Sequence, residues 1–299
     1  MNLIKKMTNK NEWSLFRNQL LEIFPEVDKQ KLGELRQASG RGNLSTLGDG
    51  ILEIINVDYS LKNFPPKKVP ILLLNLKSKD VLADIGRKFV CQKQQSDHTC
   101  ADIIESILGL LFSTGYGIED ISRWYRRLKL VKDSYEKSSR LSLSQELKPY
   151  MTKKELVVNE IENLDWSELG DILHLEEFFP EINIDDISFI LEMKYKEKYF
   201  PINVIEKIGQ AVRKGIIVMK IFENKSDIKN LTDEITKFLN FNSYITLSKD
   251  LGFCNIERKF LCLGLFTRII GYLYMTFKDQ RQISDWFFSF PENIKLLQE

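Results

Sequence analysis

Three carboxylates stand where an otherwise apolar helical pattern leaves little room for charge. Asp49 sits among Leu44, Leu47, Ile51, Ile54 and Ile55, whose i, i+3, i+4 spacing makes one buried face of a helix. Asp102 and Glu105 lie in Ala101-Asp102-Ile103-Ile104-Glu105-Ser106-Ile107-Leu108-Gly109, three apart and so on one face of a second helix. Ionised carboxylates in apolar surroundings are costly unless something cationic neutralises them. Acids from two helices meeting at one point would make a hard, oxygen-only site for Mg²⁺ or Mn²⁺. The plain alternative for each acid is a solvated helix face.

The elements that must position these acids are helices. Hydrophobic residues make up 43% of the 299, enough for full cores, and only 8 Pro and 15 Gly argue against a turn-rich all-β chain. Apolar stripes at helical spacing point to an all-α fold, and the length accommodates two domains. A faint internal repeat supports that division. Glu12-Trp13-Ser14 and Phe24-Pro25-Glu26-Val27-Asp28 recur as Asp165-Trp166-Ser167 and Phe179-Pro180-Glu181-Ile182-Asn183. Leu47-Gly48-Asp49-Gly50-Ile51 aligns with Ile208-Gly209-Gln210-Ala211-Val212 at an offset of 161. Gly109 aligns with Gly271, and Ile121-Ser122-Arg123-Trp124-Tyr125 with Ile283-Ser284-Asp285-Trp286-Phe287, at an offset of 162.

The repeat separates packing from chemistry. Its glycines return in both copies, as expected of close helix contacts that justify the ~1 kcal/mol cost of glycine within a helix. Its acids do not: Asp49, Asp102 and Glu105 correspond to Gln210, Gly264 and Thr267. If the acids only determined the fold, the second copy would need them too.

Three segments in register resemble the ribonuclease III family. Leu44-Ser45-Thr46-Leu47-Gly48-Asp49-Gly50-Ile51-Leu52 is similar to its signature helix, Lys79-Asp80-Val81-Leu82-Ala83-Asp84-Ile85-Gly86-Arg87-Lys88-Phe89 to the helix that follows, and the Ala101–Gly109 segment to its Ala-Asp-x-x-Glu helix. Trp124-Tyr125 matches the aromatics of the last family helix, so the resemblance covers roughly residues 30 to 130. The family places a Glu four residues before the signature Asp, and here that position is Ser45. A serine hydroxyl is a neutral and weaker ligand for a hard cation.

The resemblance implies two tandem ribonuclease III-like helical domains forming an intramolecular pseudo-dimer. Residues 1–130 would carry three of the four acidic ligands, 131–160 would be a linker, and 161–299 a degenerate second domain. It implies a Mg²⁺- or Mn²⁺-dependent endoribonuclease cutting double-stranded RNA by the two-metal pattern, with at most one active site per chain. Asp49 and Glu105 would hold the metals, Asp102 would act as ligand or orienter, and Ser45 would face the same position. A-form RNA is read through shape, phosphates and 2′-hydroxyls, so little sequence preference is expected. The alternative is a catalytically inactive relative that binds RNA or serves as a scaffold, for example in a mitochondrial ribosome or an RNA-processing complex.

Several readings bound these expectations. A net charge of +1 is low for a nucleic-acid enzyme and suits recruitment by a protein partner; further dimerisation is left open. Basic runs occur at Lys67-Lys68, Arg123-Arg126-Arg127-Lys129 and Lys153-Lys154, each with a solvated helix face as its plain explanation. No apolar run reaches the ~18 residues of a membrane span, and Met1-Asn2-Leu3-Ile4-Lys5-Lys6 is too polar and short for a secretory signal. The expectation is an intracellular protein, with cytoplasm, nucleus and mitochondrion undistinguished. Cys91, Cys100, Cys254 and Cys262 show no C-x-x-C spacing, and the repeat-matched Cys100 and Cys262 read as small core residues in a reducing compartment. His98 and His174 have no partner motif.

Overall fold

The computed structural model describes residues 9–65, 68–76, 79–91, 95–128, 173–182, 202–224, 231–239 and 259–298. Every regular element among them is helical, as the apolar periodicity predicts. The first half contains α1 (Asn9–Ile23), α2 (Lys29–Glu34), α3 (Ala38–Asn63), α4 (Val69–Leu76), α5 (Lys79–Phe89), α6 (Asp97–Ser113) and α7 (Ile118–Arg127). The second contains α8 (Leu175–Phe178), α9 (Ile202–Asn224), α10 (Leu231–Leu239), α11 (Lys259–Phe277), α12 (Gln280–Phe287) and α13 (Pro291–Gln298). The expected linker 131–160, Lys153-Lys154, Asp165-Trp166-Ser167, Cys254 and the side chain of Cys262 lie outside the described residues. Among the described residues no helix is long and apolar enough to cross a membrane.

Local chemistry sets the helix starts. Asp28 caps α2 by accepting from the amides of Gln30 (2.7 Å) and Lys31 (3.0 Å), and Ser96 caps α6 by accepting from Thr99 (3.2 Å). Helix α3 bends near its start, where Gly42 adopts φ 40°, ψ −127° and the regular turns resume at Asn43. Between Cys100 and Leu111, α6 is buried all round except at Asp102 and Glu105, which marks it as the central helix of its half.

Two equivalent crossings build the two halves. Where α3 crosses α6, a Cβ on Gly48 would lie 1.7 Å from the Glu105 carbonyl oxygen, and one on Gly109 would lie 2.1 Å from that of Leu44. Where α9 crosses α11, a Cβ on Gly209 would lie 1.7 Å from the Thr267 carbonyl oxygen, and one on Gly271 would lie 2.2 Å from that of Ile205. The glycines that return in the sequence therefore do the same work twice: they let two backbones touch.

Aromatic contacts return with them. Phe24 meets Trp124 edge-on (6.0 Å, 80°), and Phe179 meets Trp286 in the same manner (6.5 Å, 68°). Between the halves, α9 packs along α3. A Cβ on Gly215 would meet Ile54 Cδ1 at 2.5 Å, and one on Gly50 would meet Val218 Cβ at 3.0 Å. Ile54 and Gly215 occupy equivalent repeat positions, 161 apart.

One expectation is corrected. Cys100 is buried, as a small core residue should be, but it is joined to Cys91 by a disulfide, with Cα atoms 5.8 Å apart. The pairing has no C-x-x-C signature because tertiary packing creates it. Gly86 lets α5 lie against the backbone of α6 at Cys100, which brings the end of α5 to that sulfur.

Candidate functional site

The close approach of α3 and α9 carries one charged side chain into the acids of the first half. Lys214, on α9 beside Gly215, places its ammonium in hydrogen-bond contact with the Asp49 carboxylate and 3.8 Å from Glu53 Oε1. Asp49 and Glu53 are one turn apart on α3 and share the face that meets α9. The Glu53 side chain is only 4% exposed, whereas Lys214 and Asp49 keep 30% and 38%. Glu105, on α6, adds its charge to the same region.

The electrostatics of Lys214 follow from this geometry. Burial by itself would lower the ammonium pKa. The carboxylates of Asp49, Glu53 and Glu105 outweigh burial, and the pKa is raised above the ordinary lysine value. Lys214 therefore supplies stability at neutral pH that is retained below the ordinary lysine range and lost as pH rises through its elevated folded value. Burial pushes the Tyr125 hydroxyl up, and the charge of Glu105 pushes it further, so it stays a neutral phenol.

The four residues singled out in the sequence divide between different partners. Asp49 and Glu105 both face Lys214. Asp102 Oδ2 lies 2.9 Å from His98 Nδ1, an i, i+4 contact that gives His98 the partner its sequence context does not advertise. Ser45 Oγ donates to the carbonyl of Gly42 (3.2 Å), turning back onto the bend in its own helix. Among the described residues, no three His, Cys, Asp or Glu side chains are grouped to hold a metal ion. As arranged, the donor set does not fit a divalent cation, since the charge of Asp49 is already met by an ammonium and Ser45 is neutral and engaged.

Glu53 and Lys214 were absent from the sequence reading, although a signal exists. They are 161 residues apart, so they occupy the same position in the two copies with opposite charge.

The second half answers three of these four positions differently. Glu206, where Ser45 has its counterpart, accepts from Arg268 Nε (2.9 Å) and Nη2 (2.7 Å). Thr267, the counterpart of Glu105, accepts from Arg213 Nη1 (3.2 Å), and Gln210, the counterpart of Asp49, accepts from Lys207 (3.1 Å). Arg213 and Arg268 are both buried. Arg268→Ala should cost about 2 kcal/mol, below the ~3–5 of a fully buried pair because Glu206 keeps some solvent. Adding Glu206→Gln should recover part of that loss in urea denaturation; additive losses would show that the pair is not coupled.

Comparison of the chain with protein-family models, with curated proteins and with solved structures gives no match.

Proposed function

We propose that the two halves form an intramolecular pseudo-dimer of ribonuclease III-like domains that holds an RNA duplex without cutting it. The observation that carries this reading is Lys214. The cation that the acids of the first half require comes from the second half of the same chain. A twofold-related interface makes residues near its axis meet their own equivalents. Ile54 meets Gly215 and Glu53 meets Lys214, both at the repeat offset of 161, which supports the pseudo-dimer. Ribonuclease III-type pairs present a shared valley to A-form RNA, and binding there would act through shape and phosphates. The role would be that of a binding or scaffold component recruited by a protein partner.

A cleaving endoribonuclease is the second reading. It is favoured by the retention of Asp49, Asp102 and Glu105 in one copy only, and by the partial exposure of Asp49. In that case Lys214 must leave the acids before Mg²⁺ or Mn²⁺ can bind.

A labelled RNA duplex incubated with the protein, with Mg²⁺ or with a chelator, separates the readings. The expected result is a retarded, uncut duplex in both conditions, weakened by added salt and not competed by DNA duplex. Mg²⁺-dependent products with 5′-phosphate ends would establish the second reading. Absence of duplex binding at low salt would overturn both. Ser45→Glu, which restores a carboxylate one turn before Asp49, should leave the duplex uncut while Lys214 remains, because the ammonium still holds the cluster.

A further inference from the structure

We infer that a second site, a cleft of about 500 Å³ at the seam of the two halves, binds a phosphate group. It is distinct from the Lys214 cluster and does not depend on the duplex reading. The cleft opens beside Asp58, nine residues and about 13 Å further along α3 than Asp49. Helices α3 and α7 supply one wall, and the end of α11 with the loop after it supplies the other. Its volume falls within the roughly 300–1,000 Å³ of small-ligand sites.

Charge identifies the ligand class. Lys62, Arg123, Arg126, Arg127 and Lys278 line the cleft against two carboxylates, Asp58 and Glu119, and Arg123 is paired with Asp120 (3.2 Å). Asp58 is already held between Lys62 (3.2 Å) and Arg126 (3.5 Å). Arg126 is further fixed by its position over the Tyr59 ring, 5.9 Å from the centroid, and by donation to the Ser122 carbonyl (3.3 Å). Arg127 and Lys278 have no ion-pair partner among the described residues. A favourable helix dipole accounts for Arg126 and Arg127 in the last turn of α7 and for Lys278 directly after α11, and the cleft is where these two helix ends bring their cations together across the halves. The low overall charge of the chain makes this excess local, since the protein carries only +1 in total.

Two residues with hydroxyl groups, Ser122 and Tyr274, also stand along the cleft. Ser122 lines the cleft at 3% exposure, and its Oγ has no hydrogen-bond partner. Tyr274 also lines the cleft. Burial and the charge of Asp58 push its hydroxyl up, Arg126 only partly opposing them, so it remains a neutral donor. Guanidinium forks with neutral hydroxyl donors suit a phosphate, which offers three acceptor oxygens and up to two charges, better than a carboxylate. The two halves contribute to one site, so ligand binding would hold them together. Lys278 adopts the left-handed region, φ 55°, as the residue that ends α11.

The test uses the full chain and thermal unfolding with inorganic phosphate and pyrophosphate, each against sodium chloride of equal ionic strength. The expected result is a saturable rise in Tm with phosphate or pyrophosphate that chloride does not reproduce. In Arg127→Ala/Lys278→Ala the ligand-free Tm should stay within about a degree of wild type, while pyrophosphate affinity falls tenfold or more. Competition by a 5′-phosphorylated but not a 5′-hydroxyl ribo-oligonucleotide would place the phosphate on a nucleic-acid end. Binding of pyrophosphate that neither oligonucleotide displaces would make it a small free phosphate ligand. No saturable stabilisation beyond chloride, or equal affinity in the double variant, overturns the proposal.

Discussion

Gly48→Ala should abolish the native packing of the first half, with a loss of about 3–5 kcal/mol or outright failure to fold. The added methyl would sit 1.7 Å from the Glu105 carbonyl oxygen, which is backbone and has no rotamer to escape into. Relief requires α3 and α6 to separate, and that separation would open contacts along the whole crossing. On propensity alone the same change should favour the helix by ~1 kcal/mol, so the two effects have opposite signs and the clash dominates. Gly33→Ala is the internal control: nothing lies within 4 Å of its added Cβ, and it should stabilise by about 0.5–1 kcal/mol. Urea denaturation followed by circular dichroism measures both. A Gly48→Ala variant within 1 kcal/mol of wild type would show that the crossing is not as close as described. Gly209→Ala should repeat the result in the second half, where the contact with Thr267 has the same 1.7 Å distance.

Lys214→Ala should cost about 2–4 kcal/mol at neutral pH, less than a wholly buried pair because Asp49 and Lys214 retain solvent. The loss arises mainly from Glu53, whose buried carboxylate would keep its place without the nearby ammonium. Its pH dependence has a definite sign. The Lys214 pKa is raised in the folded state, so wild type should lose this stability as pH climbs above the ordinary lysine range, and the variant should lack that component. Subtracting the two stability profiles from about pH 9 to about pH 12, in roughly half-unit steps, isolates it from the other lysines and tyrosines. Mg²⁺ then decides what the acids can do. If Asp49, Glu53 and Glu105 can accept a metal once the ammonium is gone, Mg²⁺ should raise the Tm of the variant by several degrees and leave wild type unmoved. If RNA cleavage accompanies that rescue, Lys214 acts as a built-in inhibitor of an otherwise competent site. If the variant is destabilised and Mg²⁺ does nothing, the cluster is a structural ion pair.

The helical class and the glycine contacts were legible in the sequence because both are local properties repeated. Apolar residues at helical spacing recur over α3, α6, α9 and α11. A glycine in such a stripe has few explanations besides close contact, and finding it in both copies leaves fewer. The His98–Asp102 pair is an i, i+4 contact on α6, but the spacing has no motif that sets it apart from any other helical neighbour. The Cys91–Cys100 disulfide was not legible either, since nothing in nine residues of spacing says that α5 doubles back onto α6.

The candidate site was half legible for the same reason. Its acids stand out in the sequence because a carboxylate within an apolar helical stripe is costly wherever the chain folds. The neutralising group was not visible. Metal, arginine and lysine all satisfy that requirement, and the choice depends on which side chain another helix delivers. The sequence by itself determined the helical class of the described residues, the glycine positions at which helices can touch, and the need for a cation near Asp49 and Glu105. Only the tertiary structure decided that Lys214 is that cation. Residues 165 apart meet because Gly50 and Gly215 let α3 and α9 approach, and no local pattern encodes which side chains two remote helices will bring together.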